Sequence, residues 1–468
     1  MNYTGCLIKL VLVCCIFISQ LSYSDNSKSS EFSFNRIDDP KLKSIGDIFA
    51  SVQDQQGFMW FGGANGLARY NGSSTKVFRH DPLEPHSLSD SYVNDLIVDY
   101  QGRLFIATAR GLNRYNAMTD TFVRYLHKPD DPTSISHDTI SSLYEREDSS
   151  MWVTTDGGGL NLFDPINNSF THYQHDPNSD NSLSSNRLRC VYEDHQGLVW
   201  IGSEDTGLDQ FNPQTGEFNH FSHDPMDTAS LSHNNVFTLY EDSKRRLWIG
   251  TSGGGLNRLN RNTSEFVRYT HEPQDDHSLA NDTVWNIAEL KDGRLWVVTD
   301  NGGLNLLSPI TGSFEHYKHI NNDPSSLFNN KVRTAYRDKR GDWWFGHFPS
   351  GVSKTNPYSS AFRSYYHDPD NENSLIDNGI LSIVEDKYSN LWVGTEGGLT
   401  YFNRNTGIFT RYPHDPKNPS SLSAPAVLSL IIDNEDNLWV GTWGGGLSQF
   451  NSETSSFIHH QPSTTNPN

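Results

Sequence analysis

One phrase, Leu-Trp-Val/Ile-Gly-Thr, recurs nine times along the chain, once every 45 to 48 residues. Its central anchor position is held by Trp60, Phe105, Trp152, Trp200, Trp248, Trp296, Trp344, Trp392 and Trp439. A fixed period of this size indicates one supersecondary unit copied along the chain. The repeat therefore constrains the architecture more tightly than the length does, since length alone would suggest about three separate domains.

The copy from Leu231 to Pro273 shows what one unit contains. It has four short segments rich in β-branched and aromatic residues, with turn residues such as Gly253-Gly254-Gly255 between them. We name these segments strands A to D: Val236–Tyr240, Arg246–Thr251, Leu256–Asn260 and Glu265–Tyr269. A four-stranded antiparallel meander of this period is the unit of a β-propeller. The sequence thus predicts an all-β fold, a β-propeller of nine four-stranded blades.

Nine blades can form a seven-bladed ring plus two extra blades, or a single nine-bladed ring. The segment Phe32–Arg36 resembles a D strand placed before the first A strand, and in copy seven Gly346–Gly351 departs from the usual Gly-Thr-x-Gly-Gly-Gly. If Phe32–Arg36 closes a ring on strand C of copy seven, Phe362–Tyr366 is free to begin a second ring. This favours a seven-bladed propeller over residues 32–360, two further blades over 361–460 and a disordered tail over 461–468.

The N-terminus has the pattern of a secretory signal peptide over residues 1–24. Lys9 precedes the apolar run Leu10–Ile18, and Ser22 and Ser24 give small residues before a cleavage site. The sequence therefore predicts a periplasmic protein, with an uncleaved N-terminal anchor as the alternative. No later apolar stretch reaches the roughly 20 residues of a membrane helix, so no span is predicted in the mature chain. Its single cysteine, Cys190, excludes a disulfide framework.

Charge and motifs argue against several classes of protein. Asp and Glu number 56 against 36 Lys and Arg, and this acidic balance disfavours nucleic acid as a partner. An Asp recurs six residues before the anchor, as at Asp242, and is interpreted as a turn cap. A His recurs once per blade, as at His271, and ligands spaced in this way cannot converge on a metal. No catalytic residue, metal site or cofactor is predicted.

Ligand-binding residues are sought where the copies differ, because positions that agree do the same structural work in every blade. Eleven residues before the anchor stand Phe49, Asn94, Ser141, Arg189, Phe237, Trp285, Arg333, Leu381 and Leu428. Four residues after it stand Ala64, Ala109, Asp156, Glu204, Ser252, Asp300, Phe348, Glu396 and Trp443. Both positions are expected at one mouth of the central channel. Aromatic rings and charges suit sugars and other polar organic molecules, which makes the candidates Arg189, Phe237, Trp285, Arg333, Asp156, Glu204, Asp300, Glu396 and Trp443.

Three phrases, Asp-x-x-Gly-x-Leu-Trp-Ile-Gly-Thr, Gly-Gly-Leu-Asn-Arg-Phe-Asn and Tyr-x-His-Asp-Pro-x-x-x-x-Ser-Leu-Ser, resemble the two-component regulator propeller family. The passages Trp200–Asn212, Trp248–Asn260 and Trp439–Asn451 carry the resemblance most clearly, and it extends from Phe32 to His460. It implies a periplasmic sensor region of bacterial signalling proteins, usually two seven-bladed propellers followed by an immunoglobulin-like domain, a membrane helix and a histidine kinase or diguanylate cyclase. Relatives of the kinase type sense oligosaccharides. This sequence departs from the pattern, with nine copies and without the output domains.

The leading hypothesis is a non-catalytic, exported sensor propeller of a two-component or cyclic-di-GMP signalling system. Its expected partners are an oligosaccharide or small polar ligand and a membrane-bound signalling protein. A polysaccharide lyase or hydrolase is the alternative, and it would need two carboxylates, or a Tyr or His base beside a charge neutraliser, in one pocket. A protein–protein interaction scaffold is the third hypothesis.

Overall fold

A computed structural model describes residues 31–355 and 365–460 of the chain. The described residues form nine four-stranded antiparallel sheets and one short helix, α1 (Pro40–Lys43). None of the helical structure in these residues is long and apolar enough to cross a membrane. The predicted signal peptide and the predicted tail lie outside the described residues. The all-β propeller predicted from the repeat is confirmed.

Each blade follows the order A to D, and the strands of the chain are as follows. Blade one contains β2 (Ile48–Gln53), β3 (Met59–Gly63), β4 (Gly66–Tyr70) and β5 (Thr75–Phe78). Blade two contains β6 (Val93–Val98), β7 (Leu104–Thr108), β8 (Gly111–Asn116) and β9 (Thr121–Tyr125). Blade three contains β10 (Ile140–Glu145), β11 (Met151–Thr155), β12 (Gly159–Asp164) and β13 (Ser169–Tyr173). Blade four contains β14 (Leu188–Glu193), β15 (Val199–Ser203), β16 (Leu208–Asn212) and β17 (Glu217–Phe221). Blade five contains β18 (Val236–Glu241), β19 (Leu247–Thr251), β20 (Leu256–Asn260) and β21 (Glu265–Tyr269). Blade six contains β22 (Val284–Glu289), β23 (Leu295–Thr299), β24 (Gly303–Leu307) and β25 (Phe314–Tyr317). Blade seven contains β26 (Val332–Arg337), β27 (Trp343–His347), β28 (Val352–Thr355) and, as strand D, the N-terminal β1 (Asn35–Ile37). Blade eight contains β29 (Ile380–Glu385), β30 (Leu391–Thr395), β31 (Leu399–Asn403) and β32 (Ile408–Tyr412). Blade nine contains β33 (Val427–Ile432), β34 (Leu438–Thr442), β35 (Gly446–Asn451) and β36 (Ser456–His460).

Strand B is the packing centre of each blade. All five of its residues are buried in each of the first seven blades, because both faces of the sheet meet a neighbouring blade. The glycine of the repeated phrase follows from this packing. A Cβ on Gly250 would lie 2.7 Å from Cγ1 of Val284, which belongs to the next blade. The alternation of large and small residues in the phrase thus fits one blade onto the next.

The N-terminal strand closes a ring of seven blades. β1 pairs antiparallel with β28, from Asn35 opposite Lys354 to Ile37 opposite Val352, and so supplies strand D of blade seven. Strand β2 of blade one contacts β26 of blade seven as well as β6 of blade two. Phe32 reaches further round, with its ring centroid 4.9 Å from that of Trp296. Contacts between neighbouring A strands thus join blades one to seven into a ring, with β26 of blade seven against β2 of blade one.

Blades eight and nine pack on each other through the same kind of interface. The rings of Trp392 and Phe450 lie 4.9 Å apart, inside a shared apolar cluster. Their outer sheet faces differ from those in the ring. Ile383 of blade eight is 58% exposed, whereas Leu239, at the equivalent position of blade five, is 8% exposed. Most of the segment Phe362–Tyr366, which the sequence analysis assigns to a second ring, lies outside the described residues.

Candidate ligand-binding site

Every strand A contains a β-bulge at its second residue. In blade five, Val236 pairs with Thr251 and Thr238 pairs with Gly250, which leaves Phe237 without a partner in the ladder. The unpaired residues of the nine blades are Phe49, Asn94, Ser141, Arg189, Phe237, Trp285, Arg333, Leu381 and Leu428. These are the residues eleven positions before the anchor. Because a bulge re-aims a side chain, it explains how this position leaves the inter-blade core.

The seven bulged residues of the ring share one cavity at the mouth of the channel. It has a volume of about 410 Å³ and is lined by Phe49, Asn94, Ser141, Arg189, Phe237, Trp285 and Arg333 with Asp47, Tyr92, Thr139 and Asp156. The variable position identified in the sequence thus brings its residues together in the structure. Leu381 and Leu428 do not line this cavity, because their blades lie outside the ring. Ligand binding by the lining residues stays a prediction.

The position four residues after the anchor is tied to the same mouth by a backbone hydrogen bond. The amide of Asp156 donates to the carbonyl of Thr139 at 2.9 Å, and Phe348 donates to Lys331 at 2.9 Å. Equivalent bonds occur in the other blades. Glu204 and Asp300, at this position of blades four and six, are not themselves lining residues but act on two arginines that are.

Glu396 and Trp443 hold the same position in blades eight and nine. They are exposed, Trp443 to 73%, and neither lines the cavity of the ring. The structure thus separates them from the other seven candidates, because the ring closes before blade eight. A ligand role for these two residues remains a prediction about a different surface.

Sequence reasoning missed a third variable position, thirteen residues before the anchor. It accepts the hydrogen bond just described, and it supplies Asp47, Tyr92 and Thr139 to the cavity. The variation at this position is visible in the sequence. The seven copies in the ring have Asp47, Tyr92, Thr139, Arg187, Asn235, Thr283 and Lys331 there. Extending the comparison of copies by two residues would have found it.

Aromatic rings from neighbouring bulges stack in the cavity. Phe237 and Trp285 lie 4.2 Å apart with an interplanar angle of 12°. The guanidinium carbon of Arg333 lies 3.7 Å from the centroid of Trp285, so the three side chains form a layered stack. From blades one and two, Phe49 and Tyr92 form a second aromatic pair, with centroids 5.1 Å apart.

Ion pairs neutralise the acidic groups beside blade four. Arg189 Nη2 lies 2.8 Å from Glu204 Oε1, and Arg187 pairs with the same carboxylate. Arg187 Nε also lies 3.3 Å from Oδ1 of Asp156. These contacts join the B–C loops of blades three and four to the start of strand β14, and fix the orientation of Arg189 at the cavity wall.

Burial shifts the pKa values of three groups in the cavity. It lowers the pKa of Arg333, against the opposing attraction of Asp300 and Asp47. It raises the pKa of Asp47, which Arg333 in turn lowers. It also raises the pKa of Tyr92, so this phenol keeps its proton at neutral pH. Tyr92 therefore acts as a neutral hydrogen-bonding group here.

The repeated aspartates are structural, as predicted. Asp242 Oδ1 accepts hydrogen bonds from the amides of Lys244 and Arg246, at 2.9 and 3.0 Å, within the A–B hairpin. The same carboxylate has a second role that the sequence analysis missed: Oδ2 accepts a 2.8 Å hydrogen bond from Trp248 Nε1. One side chain thus joins the turn to the core.

The repeated histidines are structural as well. Nδ1 of His271 lies 2.8 Å from the carbonyl oxygen of Leu279, inside the loop between strand D and the next blade, and equivalent bonds recur in the other copies. Each histidine therefore holds its own loop. Over residues 31–355 and 365–460, no group of three His, Cys, Asp or Glu could hold a metal.

Comparisons with known proteins agree with the repeat and the fold. Five segments match the family model of the two component regulator propeller: residues 182–205, 230–253, 278–301, 374–397 and 421–444. No curated protein matches the chain. Among solved structures, the chain is similar to the extracellular domain of the hybrid two component system BT3049 from B. thetaiotaomicron, with 26% identity and a TM-score of 0.67 over 93% of this chain and 55% of that chain.

Two further likenesses show the fold alone. The extracellular domain of BT4673 from the same organism has 21% identity and a TM-score of 0.54, over 92% of this chain and 53% of that one. Virginiamycin B lyase from Staphylococcus aureus has 13% identity and a TM-score of 0.52, over 69% of this chain and 99% of that one. The chain spans about half the length of the two extracellular domains. The matched segments lie in blades four, five, six, eight and nine, so five of the nine blades are similar to the two component regulator propeller model.

Proposed function

We propose that the chain is a non-catalytic sensor propeller that is exported to the periplasm and binds an oligosaccharide or other polar organic ligand. The site is the cavity at the channel mouth, and the partner is a membrane-bound protein of a two-component or cyclic-di-GMP system. One observation carries the proposal: the bulged residues of all seven blades of the ring, at a position that varies between blades, meet in one cavity. The likeness to an extracellular domain of a hybrid two component system supports the signalling context.

The chemistry of the cavity favours a polar organic ligand. Phe237 and Trp285 give an aromatic surface beside the guanidinium of Arg333. Hydroxyl and amide groups of Ser141 and Asn94 line other blades of the same cavity. Sugars bind at sites of this kind because their ring faces are apolar and their edges carry hydroxyl groups.

A hydrolase or lyase is the second candidate, because the carboxylates of Asp47 and Asp156 both line the cavity. A lyase would need a base, and burial keeps the proton on Tyr92 at neutral pH. Asp156 is already paired with Arg187. With one of the two carboxylates already engaged, binding is favoured over catalysis by a pair of carboxylates, and the analysis of reaction products separates the two functions.

The test is calorimetric titration of the protein with a panel of neutral and acidic oligosaccharides, with chromatography of each mixture after prolonged incubation. We expect at least one ligand to bind without being cleaved. Trp285→Ala, Arg189→Ala and Arg333→Ala should each weaken or abolish its binding while the melting temperature stays nearly unchanged, because the two arginines lie at the cavity wall and Trp285 is only partly buried at the edge of the core.

The matched control is Arg340→Ala, which removes a cation from the A–B hairpin of blade seven and should leave binding intact. Trp443→Ala tests the surface of blade nine. Detection of cleaved products would contradict the sensor function and indicate an enzyme instead. Normal binding by all three cavity variants, with a loss in Trp443→Ala, would move the site to blade nine.

A further inference from the structure

Among the described residues, some arginines are bonded within the fold and others have buried N–H groups without a partner. Arg268, on strand β21, donates from Nη2 to the carbonyl oxygens of Asp227 and Ser230 at 2.9 Å each, and from Nε to Ser230 at 3.0 Å. Arg411 of blade eight repeats this arrangement on its own loop. Nε and Nη2 of these arginines are bonded within the fold, so their place in the structure needs no ligand.

Arg333 belongs to the other group. Its Nε and Nη1 are buried, and neither has a hydrogen-bond partner among the described residues. Within that part of the chain, no carboxylate lies within 4.0 Å of its guanidinium group. Asp300 and Asp47 act on it only through longer-range attraction. Buried N–H groups are normally paired in folded proteins, and the fold alone does not explain why these are not.

The guanidinium of Arg333 is nevertheless held in place. One of its faces lies on Trp285, 3.7 Å from the ring centroid, and Phe348 lies 5.3 Å away. Trp285 is itself stacked on Phe237. The stack orders a long side chain before any ligand arrives, and this reduces the loss of side-chain entropy on binding. A planar fork held in this way suits an acceptor that takes two N–H groups at once.

The charges of the cavity wall leave Arg333 as the cation without a close partner. The lining residues include two carboxylates, Asp47 and Asp156, and two guanidinium groups, Arg189 and Arg333. The cavity is thus formally neutral in a protein whose net charge is −20. Asp156 and Arg189 are engaged in ion pairs, with Arg187 and with Glu204 respectively. Distant acidic groups on the surface are screened beyond about 8 Å at physiological salt.

Other free donors line the same cavity. Trp285 Nε1 and Arg189 Nε are buried without a hydrogen-bond partner among the described residues. A set of N–H donors requires acceptors, and an anionic oxygen group is the strongest acceptor for them. Tyr92 and Ser141, by contrast, line the cavity with hydroxyl groups that both donate and accept. The cavity therefore offers N–H donors from blades four, six and seven and hydroxyl groups from blades two and three.

From these observations we infer that the ligand is an acidic oligosaccharide, and that Arg333 receives its anionic group in a bidentate ion pair. The planar guanidinium matches a carboxylate, as in a uronic acid, and it also accepts the oxygens of a sulfate ester. The inference rests on the proposed function, because it assumes that the cavity binds a sugar. It makes Arg333 the residue that distinguishes acidic from neutral ligands.

The experiment compares trigalacturonate, its methyl ester, a sulfated trisaccharide and a neutral trisaccharide by calorimetric titration. The methyl ester keeps the sugar skeleton and removes the charge. We expect trigalacturonate or the sulfated sugar to bind at least about tenfold more tightly than the uncharged compounds, the scale of one charge-assisted hydrogen bond. The better of the two identifies the anionic group. Arg333→Gln should abolish the preference, and Arg333→Lys should keep part of it because the charge remains.

Arg340→Gln is the matched control, since it removes one cation from the A–B hairpin of the same blade and should keep the full preference. Binding of the methyl ester or the neutral sugar as tight as that of the charged forms would overturn the inference and leave the proposed function standing. Equal preference in Arg333→Gln and wild type would also overturn it. Failure of every sugar to bind would count against both.

Discussion

Replacement of Trp248 by alanine is the sharpest test of the blade assignment. Trp248 is 0% exposed and lies in the interface between blades five and six, in the same cluster as Leu256 and Val284. Loss of a buried Trp or Phe side chain costs about 3–5 kcal/mol when the space cannot collapse. Collapse is restricted here, because the cavity would lie between two sheets that other strands hold in position.

Three further contacts place the expected loss near the upper end of that range. Asp242 Oδ2 would lose the 2.8 Å hydrogen bond from Trp248 Nε1 and keep only its 2.6 Å contact with Arg246 Nε. The guanidinium groups of Arg246 and Arg258, 5.6 and 5.9 Å from the ring, would lose their aromatic partner. Trp248→Phe keeps most of the volume, so its loss should be close to that of one hydrogen bond to a charged group, about 1.5–3 kcal/mol.

Urea unfolding followed by circular dichroism measures both variants against wild type. The control is His271→Ala, because this exposed side chain contributes one 2.8 Å hydrogen bond to Leu279, and a single neutral bond is worth about 1 kcal/mol. The order Trp248→Ala, then Trp248→Phe, then His271→Ala is expected. Equal losses at Trp248 and His271 would refute the assignment of strand B to the core between blades.

Three other predictions follow from charge, exposure and the N-terminus. The contact of Asp209 with His220 Nδ1, at 2.7 Å, raises the pKa of this histidine to about 9. The decrease in unfolding free energy caused by His220→Gln should therefore be largest below about pH 6.5 and should vanish as the pH rises through 9. A decrease that stays constant from pH 6 to 10 would contradict this prediction. A protein of residues 25–468 should self-associate, as measured by light scattering, because Ile383 and Ile431 are 58% and 63% exposed. A protein that ends at about residue 360 should be a monomer. A monodisperse protein of residues 25–468 beside an insoluble shorter one would contradict this prediction. Terminal sequencing of the exported protein should begin at Asp25, whereas a start at Met1 in the membrane fraction would indicate an anchor.

The fold was predictable because the same pattern of core residues recurs in all nine copies of the repeat. An apolar B strand with a tryptophan and a small glycine predicts a sheet that is covered on both faces, and the structure buries this strand in every blade of the ring. The hydrogen bond from Trp248 to Asp242 was not predicted. The spacing of six residues was noted, but the hairpin that returns the aspartate to the indole is visible only in three dimensions.

The cavity was predictable in part. The comparison of copies identified Arg189, Phe237, Trp285 and Arg333, since positions without a shared structural role are free to vary. It did not separate Glu396 from Asp300, although only the blade of Asp300 belongs to the closed ring. The layered contact of Arg333 with Trp285 also could not be read from the sequence, because it depends on the distance between bulges in neighbouring blades.

The bulge in strand A has a consequence for how such a protein can evolve. The bulged residue is unpaired in the ladder of its own sheet, and its contacts with neighbouring blades, such as the stack of Phe237 on Trp285, lie at the cavity. A point mutation there therefore changes the cavity more than the sheets that support it. Duplication or exchange of a whole blade moves this residue together with its supporting strands. Recognition can therefore diversify by single substitutions or by recombination of repeats, and a library randomised at the seven positions of the ring should yield folded proteins with new specificities.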